Sequence, residues 1–290
     1  SIVEDRLRSL SGFSKAPSEV DEDVYDHIFQ HAEVLVIGGG VAGMSAALEI
    51  LSGSKIARVI LVDERENLGG EITNEFTTDK DATLWYQETK DKLLKYRGAE
   101  NSRLKILTSA TAYAWYDHNY IEVLQSNGTG QSMNHEGGQH ARKILHKIRT
   151  KEVILATGAH ERPMLFETND LANIMLGQSV RRYLNEFNVV AGKDIVLYGN
   201  NDSIYRTAID LSKHNINSKV IDVRVSGNES EAVLEAKNSG IEVFQGFAVL
   251  KAKGKSRVTG VEISQVEMQA KPPHWKSKWR ITGDTKTLNC

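Results

Sequence analysis

The sequence predicts an α/β protein made of two similar halves, each a parallel sheet with a three-stranded β-meander. Three observations lead to this prediction. Short apolar runs alternate with segments of helical spacing along the chain. The run at 34–37 is followed by a glycine-rich turn and then by a helix. The same order of elements begins again near residue 194.

Composition limits the classes of protein that need to be considered. The 290 residues suffice for one large or two medium domains, and 40% are hydrophobic. The net charge of −2, with acids and bases interspersed, predicts no nucleic-acid or membrane partner. Cys290 is the one cysteine, so neither a disulfide framework nor a cysteine metal site is expected. No apolar run approaches the length of a membrane helix and no signal-peptide pattern is found, so we expect a cytoplasmic protein.

The first turn carries the pattern Gly38-x-Gly40-x-x-Gly43 before a predicted helix over 44–51. In such a turn the first glycine permits a tight bend and the second lets the backbone approach a pyrophosphate. The third lets the helix pack close to the strand. N–H groups at the helix start, at Val41 and Ala42, would face the phosphate charge. The spacing therefore predicts a dinucleotide site.

An acidic residue stands where such a site needs one. A second apolar strand, predicted over 58–62, ends at Asp63, about 20 residues after the last glycine. Its carboxylate is suited to accept both hydroxyls of an adenosine ribose, which does not distinguish NAD from FAD. An ordinary surface aspartate beside a glycine-rich turn is the weaker alternative, because the full pattern is present. The residues that follow, including a Leu-Gly-Gly loop, resemble the second-strand signature of two-dinucleotide-domain flavoproteins: Glu64, Arg65, Gly69 and Gly70.

The first half is expected to run from residue 32 to 163, after a polar lead-in over 1–31 with a short helix at 21–30. A helix is predicted over 82–96, a strand over 104–107 and a meander over 110–116, 120–124 and 143–149. The loop 126–140 contains His135 and His140, which we interpret as solvated rather than metal-bound. A buried strand then ends at Thr157 and Gly158, where the backbone would line the nucleotide site.

The second half, 164–290, repeats this order. Strands are predicted over 194–198, 219–223 and 241–244, helices up to 212 and over 229–238, and a meander over 247–253, 257–266 and 279–282. The chain ends where the closing strand of this copy is expected, so we expect a C-terminal return segment to be missing.

The second turn differs chemically from the first. It reads Gly199-x-Asn201-x-x-Ile204, which puts side chains where a pyrophosphate and a closely packed helix would need glycine. A second nucleotide site and a retained fold with a lost site are both compatible with the pattern. The substitutions favour the lost site.

Three stretches resemble the α chain of heterotetrameric sarcosine oxidase: residues 156–163 (Ala-Thr-Gly-Ala-His-Glu-Arg-Pro), 181–185 (Arg-Arg-Tyr-Leu-Asn) and 200–208 (Asn-Asn-Asp-Ser-Ile-Tyr-Arg-Thr-Ala). The resemblance implies two Rossmann-like domains of the FAD/NAD(P)-binding kind. It implies a complex that oxidatively demethylates sarcosine to glycine, with hydrogen peroxide and a one-carbon unit as products. Substrate oxidation would take place on a flavin of the partner β subunit.

The same resemblance implies the cofactors and partners. NAD would occupy the first site, where relatives hold FAD or ATP, and FMN would lie where α meets β. The partners would be the β and smaller subunits. Carried over to this chain, the residues that hold the adenosine diphosphate half are Gly38, Gly40, Gly43 and Asp63, with Gly158 lining the same site.

The sequence agrees with a non-catalytic role, because no nucleophile–base pair or Cys-x-x-Cys pair is found. We expect an oxidoreductase that works as part of a complex and is inactive as an isolated chain. His160, Glu161 and Arg162 form one charged cluster, which would contact a flavin phosphate or a partner, or merely be a charged crossover. Two alternatives remain open: a component of a related amine, opine or proline dehydrogenase, and a self-sufficient NAD(P)H-dependent flavin disulfide reductase-like enzyme.

Overall fold

The computed structural model describes residues 2–11, 23–75, 80–97, 102–127, 141–225, 230–269 and 278–290. The chain divides into two compact units. The first contains Ser1–Leu68 and Leu93–Ala156, and the second contains Gly69–Lys92 and Thr157–Cys290.

The elements up to residue 156 are, in chain order, α1 (Ile2–Leu10), β1 (Val24–Ile37), α2 (Val41–Gly53), β2 (Val59–Val62), a 3-10 helix (Gly70–Glu75), α3 (Lys80–Leu94), β3 (Leu104–Leu107), β4 (Ala110–Tyr116), β5 (Tyr120–Ser126) and β6 (Ala141–Leu155). The strands of the first unit form one six-stranded sheet in the order β3-β2-β1-β6-β5-β4. The first four are parallel, and β5 and β4 continue from β6 as an antiparallel meander. The predicted parallel sheet and meander are therefore confirmed, but they share a single sheet.

The strand β6 explains why the two parts are continuous. The predicted meander strand at 143–149 and the predicted closing strand before Thr157 are one 15-residue strand. It pairs with β1 from Val24–Ala141 to Ile37–Leu155. The core of this unit lies against the sheet and includes Leu35, Ile60, Val62, Leu107, Ile121, Val123 and Ile148.

The short helix predicted over 21–30 is wrong where the structure describes it, because residues 24–30 belong to strand β1. Their side chains alternate: Tyr25, His27 and Phe29 are exposed, while Val24 and Ile28 are partly buried. This period of two is typical of a half-buried strand. The polar, outward-facing residues concealed it in the sequence. The predicted loop with His135 and His140 lies mostly outside the described residues.

The second unit continues with α4 (Gly177–Phe187), β7 (Asp194–Gly199), α5 (Ser203–Lys213), β8 (Asn217–Asp222), α6 (Glu231–Asn238), β9 (Glu242–Gln245), β10 (Phe247–Gly254), β11 (Val258–Gln269), β12 (Lys278–Ile281) and β13 (Lys286–Asn289). Strands β7, β8 and β9 form a parallel sheet. Strands β10, β11 and β12 are the predicted meander, and a further strand, β13, pairs antiparallel with β11. The largest core cluster packs α4, α5 and α6 on the parallel sheet, with Leu184, Tyr205, Leu211 and Val220 at its centre.

Candidate dinucleotide site

The first glycine turn has the backbone geometry that the pattern predicts. Gly38 has φ of 106°, a conformation that favours glycine, and its N–H donates to the carbonyl of Val62 at 2.8 Å. Gly40 is the extended N-cap residue of α2, and no side chain caps this helix. The first N–H groups of α2 therefore have no side-chain partner at the cap and are suited to an anionic group.

Gly43 is required by packing rather than by backbone conformation. It is buried in the first turn of α2, and a Cβ at this position would overlap the carbonyl oxygen of Gly38. The same Cβ would also lie 3.4 Å from the Cβ of Ala156. The helix therefore approaches β1 more closely than any side chain would permit, as the third glycine of such turns requires.

Asp63 lies at the end of β2 and is only 7% exposed. Its Oδ2 accepts the N–H of Gly39 at 2.5 Å, and its Oδ1 accepts the N–H of Arg65 at 2.8 Å. Each carboxylate oxygen has two acceptor positions, so each keeps one for a further donor. The carboxylate is thus fixed by backbone groups and can still accept two hydroxyls of a ribose.

Gly39 is a position in the turn that packing restricts to glycine, although the motif allows any residue there. A Cβ at Gly39 would lie 2.9 Å from Oδ2 of Asp63 and would overlap the side chain of Leu68. Glycine at this position therefore lets the turn contact the acid at the end of β2. The run of three glycines, Gly38 to Gly40, was the signal available in the sequence.

The remaining predicted residues fall into two groups. Val41, Ala42, Glu64 and Arg65 lie in the first unit beside the turn and the acid, with Val41, Ala42 and Glu64 exposed. The other four belong to the second unit: Gly69, Gly70, Thr157 and Gly158. Three of these are glycines with positive φ, of 119°, 57° and 71° for Gly69, Gly70 and Gly158. These backbone conformations explain the choice of glycine there, whatever the glycines bind.

The acid at the matching position of the second unit is Asp222, which is paired with Gly199 across β7 and β8. It is fully buried, and Tyr205 Oη donates to its Oδ2 at 2.7 Å. Arg224 donates to it from the backbone N–H at 2.9 Å and from the guanidinium at 2.7 to 3.0 Å. Arg224 also reaches Asp202 at 2.8 Å. These donors leave little acceptor capacity for ribose hydroxyls.

The electrostatics of this cluster keep its charges fixed. Burial, followed by the hydrogen bond to Asp222, raises the pKa of Tyr205 well above its ordinary value. Hydrogen bonding to Asp222 raises the pKa of Arg224 further. The tyrosine is therefore a neutral donor and the arginine a permanent cation, and both donate to Asp222.

The second turn itself is occupied by its own side chains. Asn201 Oδ1 accepts the N–H of Ser203 at 3.0 Å and its hydroxyl at 2.5 Å. Ile204 is buried, and a Cβ on Gly199 would lie 2.6 Å from its Cγ2. The asparagine therefore closes a local turn with the serine instead of leaving bare backbone for a pyrophosphate.

The charged cluster at 160–162 is partly explained by the fold. Glu161 Oε2 accepts the N–H of Gln178 at 2.9 Å, at the first turn of α4. This is a capping interaction from outside the helix, and it favours the interpretation of Glu161 as a structural residue. His160 and Arg162 are exposed, beside a cavity of about 1100 Å³ that follows β7 in the second unit.

The described residues contain no group of three histidine, cysteine or acidic side chains that would hold a metal ion. None of the helices that the structure describes is long and apolar enough to cross a membrane. What the first turn does offer is a cradle of glycines, an uncapped helix start and an acid with spare acceptor positions. These features fit the adenosine diphosphate half of NAD or FAD.

Two related α/β units with a glycine turn in the first are typical of nucleotide-binding oxidoreductases. The family model described as "Pyridine nucleotide-disulphide oxidoreductase" matches residues 32–267, and the chain belongs to this family. The fold agrees with the solved structure of thioredoxin reductase from T. acidophilum, with a TM-score of 0.55, 17% identity and coverage of 89% of this chain and 74% of that one.

Curated relatives confirm the resemblance noted in the sequence. The alpha chain of sarcosine oxidase from Corynebacterium sp. (strain U-96) is 36% identical over 271 residues, which cover 90% of this chain and 26% of the relative. One of the chains of opine oxidase from Agrobacterium tumefaciens (strain Ach5) is 29% identical over 184 residues, covering 62% of this chain and 34% of the relative. The chain thus spans about a quarter to a third of the length of these proteins.

Proposed function

We propose that this chain is the dinucleotide-binding region of a sarcosine oxidase α chain, in a complex that oxidatively demethylates sarcosine. The 36% identity to such a protein over 90% of the chain is the observation that carries the proposal. Substrate oxidation would take place on a flavin of the partner β subunit, as the resemblance to sarcosine oxidase implies. The products would be glycine, hydrogen peroxide and a one-carbon unit.

The first site would hold NAD, with FAD as the alternative. Gly38, Gly40 and the start of α2 would receive the pyrophosphate, and Asp63 would accept the ribose hydroxyls. An FMN would lie between this chain and its β partner, as the sequence resemblance implies. The remaining residues proposed for the site are Val41, Ala42, Gly43, Glu64, Arg65, Gly69, Gly70, Thr157 and Gly158.

The nucleotide would bind at the first turn alone. At the second turn, Asn201 and Asp222 are engaged by their own neighbours. A ligand there would have to displace hydrogen bonds that already stabilise the fold.

A component of an opine-oxidising complex is the second candidate, and the similarity to the opine oxidase chain favours it. Both candidates place the amine pocket on another chain, so this sequence does not separate them. Purification of the full complex and assay with sarcosine and with an opine would decide, because each candidate predicts turnover of one substrate only.

The nucleotide assignment is tested by identifying the bound molecule and by two substitutions. Mass spectrometry of the ligand released from purified protein is expected to give NAD. Gly40→Val places a side chain at the pyrophosphate position without backbone strain, since φ is −75°. It is expected to abolish binding. Asp63→Ala is expected to weaken binding by about 1–3 kcal/mol through lost ribose hydrogen bonds.

The matched control is Asn201→Val, at the position in the second turn that corresponds to Gly40. It is expected to leave the affinity for NAD unchanged in calorimetry. Unchanged affinity in both Gly40→Val and Asp63→Ala would contradict the assignment of the site. Steady oxidation of sarcosine or NAD(P)H by the isolated chain would contradict its proposed non-catalytic role.

A further inference from the structure

One face of the meander in the first unit, with the adjoining part of β1, carries aromatic and cationic side chains that are exposed or partly exposed. We call it the meander face and define it by Tyr25, Phe29, Tyr113, Tyr116, Lys147 and Arg149. Phe29 is 71% exposed, and the three tyrosines are each more than half exposed. Aromatic side chains gathered on an exposed sheet face are typical of an interaction surface rather than of an ordinary solvated one.

The strand register places cations beside these rings. Phe29 is opposite Lys147, whose Nζ lies 5.2 Å from the ring centroid. Arg149 is opposite Tyr120, and its guanidinium carbon lies 5.5 Å from that ring. The aromatic groups and the cations therefore form one mixed surface, and each cation is held in place by a ring.

Glu122 is the acid at the centre of this face, and its oxygens are already engaged. Tyr113 Oη donates to one oxygen at 2.8 Å, and Tyr120 Oη donates to the other at 3.1 Å. A bulge in β4 between Ala112 and Ala114 brings Tyr113 toward Glu122. Glu122 is also opposite Lys147 in the strand register, so the charge of this acid is offset by one of the cations and the face keeps an excess of positive charge.

The surrounding charges extend this positive surface. Lys143 is exposed on the same side of β6 as Lys147 and Arg149 and adds a third cation. A partner with complementary charge would therefore present carboxylates. The rings of Phe29 and Tyr120 already have a cation over one side, which leaves them poorly placed to stack on nucleic-acid bases.

The meander face is also distant from the nucleotide turn. Phe29 precedes Ile37, the last residue of β1, by eight positions, which corresponds to about 26 Å along an extended strand. A protein bound to the face would therefore leave the glycine turn accessible. Partner binding and nucleotide binding are expected to be independent in the first unit.

We propose that the meander face binds an acidic surface on another protein chain of the complex. The proposal rests on the proposed function to the extent that this chain works as one of several subunits. The cations guide the approach of the acidic partner, and the exposed rings supply the apolar contact area. The interaction is therefore expected to weaken as salt is added.

The test uses the full-length chain produced together with the remaining subunits of its complex. Lys147→Glu/Arg149→Glu reverses two charges on the meander face. Lys213→Glu/Lys255→Glu is the matched control, because both lysines are exposed, both belong to the second unit, and the charge change is the same. Assembly is followed by size-exclusion chromatography with light scattering, and affinity is measured at about 50 and 200 mM salt. NAD binding is measured in parallel by calorimetry.

We expect at least a 100-fold loss of affinity for the partner chains in the face variant, wild-type affinity in the control and unchanged NAD binding in both. Assembly of the face variant with wild-type affinity would overturn the surface while leaving the proposed function intact. Failure of the wild-type chain to assemble would overturn both. If the wild type binds a single-stranded oligo-dT tightly and the face variant does not, the partner of the face is a nucleic acid. That result would overturn the proposal.

A further measurement tests whether another segment of the full-length chain covers the meander face. In hydroxyl-radical footprinting, Tyr25, Phe29 and Tyr113 are expected to be oxidised in the free chain and protected from oxidation in the assembled complex. Protection of these residues before assembly would mean that another segment of the same chain covers the face. That result would overturn the assignment to a separate partner chain.

Discussion

Asp63 and Asp222 occupy the same place in two related units, yet their surroundings give them opposite roles. Asp63 directly follows β2, Asp222 is the last residue of β8, and both are buried. Asp63 accepts two backbone N–H groups and keeps acceptor positions free, whereas Asp222 is engaged by Tyr205 and Arg224. The comparison teaches that an acid at the end of the second strand identifies a ribose site only when side chains leave it available.

The glycine turns differ in the same way. At the first turn, two positions leave no room for a Cβ atom. Gly39 lies too close to the side chain of Asp63, and Gly43 lies too close to the carbonyl of Gly38. At the second turn, Asn201 and Ile204 fill the corresponding space with their own side chains. The first unit therefore leaves room for a ligand, and the second uses the same backbone positions to stabilise itself.

A further contrast concerns the buried polar groups of the two units. The second unit contains an ion pair between Arg181 and Asp210, with 2.5 Å between Nε and Oδ2 and both side chains almost fully buried. The first contains His146, which is 1% exposed and hydrogen-bonded to Gln30 at 2.6 Å and to Gln125 at 2.9 Å. Of these two buried groups, the one in the second unit is an ion pair and the one in the first unit is a neutral ring.

The largest expected effect comes from breaking the buried ion pair. Asp210→Ala removes the carboxylate beside Arg181 and is expected to destabilise the second unit by about 3–5 kcal/mol, because a buried guanidinium loses this ion-pair partner. Arg182→Ala is the control, since its pair with Glu186 is partly exposed and is expected to contribute less than about 1 kcal/mol. Urea unfolding gives the free energies.

Hydrogen exchange measured on individual peptides shows which unit is destabilised by the substitution. The loss of protection in Asp210→Ala is expected in α4 and α5, where the pair lies, and not in the strands of the first unit. Equal stability of the two variants would mean that the pair contributes no more than an exposed one, and the contrast between the units would fail.

The next effect belongs to the first unit and depends on pH. Burial, assisted by the charge of Lys105 and opposed by Asp26, lowers the pKa of His146 from 6.5 to about 4. The unfolded chain therefore binds a proton between these values that the folded chain does not. The contribution of neutral His146 to the free energy of unfolding is therefore complete above pH 6.5 and is lost as the pH falls to about 4. The loss over this range is about 3 kcal/mol.

Urea unfolding at pH 7 and near pH 4 measures this loss, and His146→Gln removes its source. The variant is expected to lose about 3 kcal/mol less than the wild type over this range. His27→Gln, at an exposed position of β1, is expected to follow the wild type. Identical pH profiles for the wild type and His146→Gln would show that the histidine is not held neutral.

Much of this fold was predictable because its signals are local. The apolar runs, the turn glycines and Asp63 all lie within about 30 residues of one another, and each was assigned correctly to a strand, turn or strand end. The sequence does not predict the first half of β1 as a strand. Its outward-facing residues are polar, as in a lead-in segment, and its partner strand, β6, follows about 100 residues later in the chain. Pairings of this range leave no local pattern.

The residues of the candidate site likewise differ in whether a local sequence pattern predicts them. Gly38 and Gly43 follow from a short motif, whereas Gly39 is required by contact with Asp63 and Leu68, which the motif does not contain. The loss of glycine from the second turn was visible in the sequence. The engagement of Asp222 was not, because it depends on side-chain directions that only the folded structure defines.

The smallest expected effect tests that engagement directly. Tyr205→Phe removes the hydroxyl that donates to Asp222 while the ring stays in the core, so packing is preserved. Asp222 keeps the bonds from Arg224, and the expected destabilisation is therefore only about 1.5 kcal/mol. Tyr183→Phe, which removes a hydroxyl from a side chain that is about half exposed, is the control and is expected to change stability by less than about 0.5 kcal/mol.

The pH dependence of this variant reports on the buried hydroxyl rather than on the packing of the ring. The raised pKa of Tyr205 means that the folded chain keeps its phenolic proton at a pH where the unfolded chain has lost it. The contribution is complete below pH 10, the ordinary pKa of the group, and is lost as the pH rises above it. Tyr205→Phe is therefore expected to lose less stability than the wild type between about pH 9 and 11. If both lose the same amount, the hydroxyl is not bound to a buried Asp222, and the proposed difference between the two acids would have to rest on Arg224 alone.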